Sequence, residues 1–380
     1  MDSTGLENHT VSVGVNLLWL RPGRVGGSED YAVRLLSAIP PDAPVRLTLF
    51  APRGFARAHR GLAERHEVVT PRVGRLRPLR ILIENTWLAA QCRRRNLDVV
   101  HHFGGTVPFV GVKPAVVTIH DLQPLDHPKR FGLVKRLYLR VMLPWSVRRA
   151  ETIVTVSEFC RSRLMERLKV DPQRVVVVPA PVDTSSADSD MPLAAAAPDL
   201  ASPFVLYPAL TYPHKNHEVL LRALARLAAD GVDVALVISG GPGPLDAKLD
   251  HLADKLGVGG RWHRLGRIPR AVLDGLYRQA VAVVFPSKYE GYGLPVVEAM
   301  ARGCPVVAAD AGALPEVVGS GGRLLDPDDA ESWAEAIGEL MGDSGARQTL
   351  SEAGAFRVGE LAELDPGTEL CNLYGEMAAQ

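Results

Sequence analysis

Two glutamates, Glu290 and Glu298, stand on either side of a glycine-rich turn in residues 285–315, FPSKYEGYGLPVVEAMARGCPVVAADAGALP. The apolar run 281–285, VAVVF, reads as a buried parallel strand. The turn Glu290-Gly291-Tyr292-Gly293-Leu294 follows, and Pro295 falls at the first position of a helix, where a missing N–H is no loss. That helix carries Val296, Val297, Ala299 and Met300, stops at Gly303, and leads to a second apolar strand, Pro305 to Ala309. Strand, glycine turn and helix N-terminus together make an anion site, because unpaired backbone N–H groups and the positive end of the helix dipole face the turn. Glycines admit a diphosphate close to the backbone. Glu298, expected in the first helical turn, can accept hydrogen bonds from ribose hydroxyls. Glu290 lies before the turn, near whatever sugar the phosphates carry. The competing reading is coincidence, since two glutamates eight apart are common and either suits a first helical turn.

Further chemistry is offered by single loops. Thr211-Tyr212-Pro213-His214-Lys215-Asn216 joins a strand to a helix, where Lys215 is a point charge for phosphate or a solvated surface lysine. In GRVGGSEDY, residues 23–31, Gly26 and Gly27 free the backbone, Ser28 or Glu29 can cap the next helix, and the turn faces the carboxyl edge of a sheet. A flexible loop before a capped helix explains the same residues. His120-Asp121 ends the strand VVTI, a position suited to polar work or to a structural histidine. Gly240-Gly241-Pro242-Gly243 fits a simple turn. Arg267, in Leu265-Gly266-Arg267-Ile268, can touch a base or phosphate or face solvent. No metal site is evident; Asp328-Asp329 sits in a loop near the C-terminus and is not a convincing metal pair.

The segment 290–308, EGYGLPVVEAMARGCPVVA, resembles the E-x7-E signature of the family-four glycosyltransferases, retaining nucleotide-sugar enzymes of the GT-B fold. The resemblance implies two Rossmann-like α/β domains facing each other across a cleft, the second holding a nucleoside-diphosphate sugar and the first an acceptor hydroxyl. It places Glu290 beside the donor sugar, Glu298 on the ribose, and the backbone of Gly291, Tyr292, Gly293 and Leu294 on the diphosphate and sugar. It gives Lys215 the diphosphate, with His214 standing where the family's pattern has arginine, and it brings Gly27 and Ser28 near donor phosphate and acceptor. TIHDLQPL, residues 118–125, and TVSEF, 155–159, are also family-like. By analogy His120 contacts the donor sugar and Asp121 orients the acceptor or its loop, while Gly266, Arg267 and Ile268 read the base edge. VVPAPVD, 177–183, departs from the pattern V-P-N-G-V-D, which touches the hinge. The catalytic set expected is therefore Glu290, His120 and Lys215. No cofactor or metal is expected, because lysine and helix dipole can neutralise the departing diphosphate. By the same resemblance the TIHD and SEF segments lean toward mannosyl transfer from GDP-mannose.

The elements that must hold these residues alternate between strand and helix patterns along all 380 residues, the mark of parallel α/β architecture. The expected organisation is an acceptor domain over 1–183 with about 362–380 packing back on it, a linker over 184–203, and a donor domain over 204–361. Net charge is formally zero, which argues against nucleic acid as partner. Residues 1–183 nevertheless hold 28 Lys and Arg against 16 Asp and Glu, net +12, and the remainder is net −12. Lys129 to Arg149 interleaves seven basic residues with apolar ones; it is either a core-packed helix with a solvated face or a contact with anionic membrane. Cys92, Cys160, Cys304 and Cys371 show no CxxC spacing and read as reduced thiols. No run approaches 18 apolar residues and the first residues lack a signal design, so the expected place is the cytoplasm, at the cytoplasmic face of a membrane if the basic helix binds one. The partners expected are a nucleotide-sugar donor and a glycan, lipid-linked or small-molecule acceptor. A nucleotide-sugar epimerase or hydrolase on the same fold stays open, as does a non-catalytic sugar-nucleotide binder. A dinucleotide oxidoreductase is excluded for want of a fitting GxGxxG.

Overall fold

The computed structural model describes residues 10–22, 26–72, 77–183 and 203–379. The chain divides into two units, one running to Pro181 and resuming at Asp365, the other spanning Val182–Leu364. Most of the linker, residues 184–202, lies outside the described residues, as do Gly23, Arg24 and Val25 of the first glycine loop.

The first unit is built on a seven-stranded sheet: Val11–Asn16 (β1), Val45–Phe50 (β2), Glu67–Val69 (β3), Val99–His102 (β4), Ala115–Ile119 (β5), Thr152–Thr155 (β6) and Val175–Val177 (β7). Their order is β3-β2-β1-β4-β5-β6-β7, and every pairing is parallel. Strands such as AVVTI, residues 115–119, are buried along their whole length, as a sheet covered by helices on both faces requires. Helix Glu158–Leu168 starts where the sequence says it must, with the Ser157 hydroxyl accepting from the Cys160 amide at 3.1 Å. The pattern over 79–95 predicts one helix. The structure instead widens into a π-helical turn at Glu84–Leu88. Asn85 and Thr86 donate from their side chains to the carbonyls of Ile81 and Leu82 four residues back, at 2.8 and 2.7 Å, so side chains take over acceptors that an α-helical turn would use. The last helix, Pro366–Ala378, capped by Asp365 at the Thr368 amide, belongs to this first unit. Its Tyr374 hydroxyl lies 2.7 Å from Nδ1 of buried His101, whose Nε2 meets Thr118 at 2.7 Å.

The second unit carries Phe204–Tyr207 (β8), Ala235–Ile238 (β9), Trp262–Arg264 (β10), Ala282–Phe285 (β11), Val306–Ala309 (β12) and Arg323–Leu325 (β13). The order is β10-β9-β8-β11-β12-β13, again all parallel. The four central strands are completely buried. Each large aliphatic side chain so covered contributes about 1.5–3 kcal/mol of transfer free energy. In both sheets the order reverses once, between β1 and β4 and between β8 and β11. A crevice opens at the carboxyl ends of two strands where their connections depart to opposite sides, and in open α/β sheets ligands collect there.

Candidate active site

The reversal in the second unit lies between Tyr207 and Phe285, the last residues of β8 and β11. Lys215 comes from the loop after β8 and Glu290 from the loop after β11. The structure brings them together, with Nζ 2.6 Å from Oε1 of Glu290 and the two side chains only 17% and 14% exposed. The ammonium also stands 5.2 Å from the centroid of the Phe285 ring. Its backbone is fixed from below: the Tyr207 hydroxyl donates to the Lys215 carbonyl at 2.7 Å, and Pro213–Lys215 forms a 3-10 turn. The two loops are stitched to each other where the Lys288 amide and the Ser287 hydroxyl donate to the His214 carbonyl, at 2.8 and 3.2 Å. His214 therefore contributes its carbonyl to the frame, while its ring stacks on Tyr212 at 5.9 Å and 21°. Burial, with Lys215 adding to it, pushes the His217 imidazole down to about 3, so it is neutral at physiological pH. The Tyr207 hydroxyl is pushed up, by burial first and then by the nearby Glu290 charge.

The turn after Glu290 leads into helix Leu294–Ala301, with Gly293 as N-cap at φ +112°. Leu294 is its first residue and Pro295 its second, one place later than the sequence pattern suggests. Glu298 is consequently the fifth helical residue, in the second turn rather than the first. It is 6% exposed, and its carboxylate takes Arg270 Nη1 at 2.6 Å on Oε1 and the Tyr277 hydroxyl at 3.2 Å on Oε2. Gly291, Tyr292, Gly293 and Leu294 thus join the Lys215–Glu290 pair to the helix start, and Tyr292 and Leu294 are buried there. Gly312 backs the turn from β12's side; the Ala313 amide donates to the Glu290 carbonyl at 3.2 Å.

Gly266, at φ +66°, accepts at its carbonyl from the Gly240 amide at 2.8 Å, which ties the loops after β9 and β10 together. Exposed Arg267 lies across Gly241, and Ile268 is half-buried. The loop after β9 is tied in turn to the loop that carries Lys215, where the Leu245 amide donates to the Thr211 carbonyl at 3.2 Å.

His120, Asp121, Gly27 and Ser28 belong to the first unit. His120 Nε2 lies 2.9 Å from the Phe103 carbonyl, and since a carbonyl only accepts, Nε2 carries the proton and Nδ1 keeps its lone pair. Burial pushes this imidazole down to about 4, against the carbonyl bond, so it is neutral near pH 7. Its ring packs edge-on to Tyr31 at 5.2 Å. Asp121 accepts from the Gln123 amide at 2.9 Å. Helix Gly27–Ala38 has Gly26 as its N-cap and no side-chain cap, so the capping expected of Ser28 or Glu29 is not observed. Glu29 is instead buried against His59 Nε2 at 2.9 Å. Among the described residues no cluster of three or more His, Cys, Asp or Glu side chains has the arrangement of a metal site.

The reading by residue type passed over Arg270, Tyr277, Phe285 and Gly312. One signal was available. Arg270 opens helix Arg270–Gln279 directly after Pro269. A cation at a helix N-terminus opposes the macrodipole by about 0.3–1 kcal/mol, which neighbouring carboxylates can offset.

Comparison with known proteins places this geometry in context. The model of "Glycosyltransferase Family 4" matches residues 25–186, and that of "Glycosyl transferases group 1" matches 194–356. The chain is 30% identical over 266 residues to the O-antigen chain mannosyltransferase B of Escherichia coli, covering 68% of this chain and 70% of the relative. It is 27% identical over 273 residues to the O-antigen chain mannosyltransferase RfbU of Salmonella typhimurium, covering 70% and 72%. Among solved structures, Anabaena HepE in complex with UDP and glucose superposes with a TM-score of 0.73 at 21% identity, over 96% of this chain and all of that one. At that identity the likeness speaks for the fold, two parallel α/β sheets of GT-B type.

Proposed function

This chain belongs to glycosyltransferase family 4, and from that premise we propose that it moves a hexosyl group from a nucleoside-diphosphate sugar to an acceptor hydroxyl, with retention and without a metal. The observation that supports this most is the Lys215–Glu290 pair, 2.6 Å apart at the sheet reversal and joined by a glycine turn to a helix N-terminus. In this reading the diphosphate lies at that helix end, where Lys215 and the backbone meet the negative charge that grows as the anomeric C–O bond breaks. The acceptor oxygen bonds the anomeric carbon on the face the diphosphate leaves, and a diphosphate oxygen takes the acceptor's proton. No separate strong base is needed in this reading. Glu290 supports the cationic anomeric centre, and Glu298 takes the ribose. The mannosyltransferase relatives favour GDP-mannose as donor, while HepE, solved with UDP and glucose, keeps a uridine donor in the test.

The test has three parts. One nucleoside diphosphate among GDP, UDP, dTDP and ADP raises the melting temperature clearly above the rest, since ligand at 100 Kd adds about 2.7 kcal/mol. The sugar of the product keeps the anomeric configuration it had in the donor, as read by proton coupling constants. EDTA leaves the rate unchanged. Donor consumption without any acceptor would favour a hydrolase or epimerase, and an inverted product would end the retaining reading.

A second feature bears on the acceptor. Helix Leu133–Arg149 buries Met142, Leu143, Ser146 and Val147 but leaves Leu133, Val134, Leu137 and Val141 between 54% and 84% exposed. Those positions share one helical face, the segment 129–149 contains no acidic residue, and Leu82, Phe109 and Val110 of the same unit are also exposed. No helix among the described residues is long and apolar enough to cross a membrane. An apolar stripe among cations suits the surface of an anionic bilayer, and a lipid-linked acceptor follows. Sedimentation with vesicles containing phosphatidylglycerol is expected for the wild type and is reduced at least tenfold in V134D/L137D. Equal sedimentation with pure phosphatidylcholine, or none with either, would remove the lipid acceptor.

A further inference from the structure

Behind Glu298 lies an ionic network that no feature of the E-x7-E segment calls for. Arg270 turns each part of its guanidinium to a different carboxylate: Nη1 to Glu298 at 2.6 Å, Nε to Asp274 at 3.2 Å, and Nη2 to Asp183 at 3.7 Å. Arg302, 3% exposed, sits four residues after Glu298 and pairs through Nε with the same Asp274 at 3.0 Å. It also donates Nη1 to the Asp183 carbonyl at 2.7 Å. Tyr277, one helical turn beyond Asp274, supplies the hydroxyl on the other oxygen of Glu298. Helices Arg270–Gln279 and Leu294–Ala301 are thus cross-linked by buried Glu298, Asp274, Tyr277 and Arg302 side chains beneath Arg270, which is 40% exposed.

Such networks are poor sources of net stability, because desolvation offsets most of the attraction. What this one does supply is orientation. Glu298 is fixed at both oxygens by groups that are themselves fixed, and Arg270 is the link with the most partners. We propose that Arg270 is a positioning residue for nucleotide recognition, holding the Glu298 carboxylate aimed so that it accepts from a ribose hydroxyl. The inference rests on the assignment of Glu298 to the ribose. An arginine on this face could instead bind the diphosphate directly, but its nitrogens are directed at three carboxylates, and that commits it to Glu298. Without it, Glu298 would lose the guanidinium that stands between it and the carboxylates of Asp274 and Asp183, and the carboxylate would turn away.

The experiment is calorimetric titration with GDP, UDP and ADP, each against its 3′-deoxy counterpart. Wild type is expected to prefer the ribonucleotide that binds best over its 3′-deoxy form by about 10- to 100-fold, the value of a hydrogen bond to a charged group. In E298Q that preference falls within about threefold, and in R270Q it falls equally far although the ribose contact itself is untouched. R270K, which keeps charge but not the fork, keeps a preference between those of R270Q and the wild type and is read alone if R270Q does not fold. With donor and acceptor, KM for the donor rises more in R270Q than kcat falls. If E298Q keeps the preference, the ribose assignment is wrong. If E298Q loses it while R270Q and R270K keep it, Arg270 does not position Glu298. A uniform loss of affinity for ribo- and 3′-deoxy forms alike in R270Q would place Arg270 on the diphosphate and equally overturn the proposal.

Discussion

Lys215→Ala is expected to lower turnover about 10²- to 10³-fold, the usual consequence of removing one preorganised charge from a departing group, and Glu290→Gln to lower it by a similar factor. Lys215 reaches its place by a chain of constraints that survive the substitution. Its carbonyl is held by Tyr207 and its turn by the Tyr212 carbonyl, at 2.7 and 2.9 Å. The frame therefore stays and only the charge goes. Truncation also leaves Glu290 without its cation in a site where each side chain is less than a fifth exposed. The cost in stability is on the order of 1 kcal/mol for such a partly screened pair, or about 2–4 °C in melting temperature for a unit of this size. Initial rates at saturating donor, taken beside thermal melts of each variant, separate the two effects. A folded Lys215→Ala or Glu290→Gln protein turning over at the wild-type rate would remove the pair from the chemistry.

How much of this could be read from residues alone depends on the kind of information each feature carries. The central strands β8 and β11 were legible because continuous apolar runs such as FVLY and AVVF have little alternative to a buried parallel strand. Lys215 and Glu290 were each legible as loop residues after such strands. The edge strands β10 and β13 were not. WHR and RLL are three residues long and only partly buried, so no period develops in them. Helix Ser344–Ala362 was missed for a related reason: Gly345, Gly354 and Gly359 dilute its pattern, and only Gly354, Val358 and Leu361 are buried in it. The position of Glu298 was legible only to within a turn, since Leu294 and Pro295 can each open a helix and the choice shifts every later residue by 100°. The partners of Glu298 were beyond reach. They come from a helix 20 to 30 residues upstream, and which carboxylate an arginine chooses is decided by tertiary packing.

Gly312→Ala is the other substitution with a large expected effect, and it tests the site without touching any group assigned to the reaction. Gly312 sits at φ +63°, and a Cβ there would stand 2.8 Å from the Glu290 nitrogen and 3.0 Å from its carbonyl oxygen. Both contacts are with backbone, so no rotamer change relieves them, and either the 286–293 loop or the 310–314 loop must move. Left-handed backbone costs an alanine about 1–2 kcal/mol, and the overlap adds about 1–3 kcal/mol more. Gly257→Ala separates these terms. Gly257 lies in the same unit at φ +72° with nothing within 4 Å of the added methyl, so it carries the conformational cost without the collision. Gly312→Ala should therefore melt several degrees below Gly257→Ala. Its remaining folded protein should turn over at least tenfold more slowly, because a displaced Glu290 draws Lys215 with it. Gly257→Ala should keep the wild-type rate. Equal melting temperatures and equal rates in the two variants would mean that the turn at Glu290 tolerates displacement, and the link from that turn to the placement of Lys215 would fail.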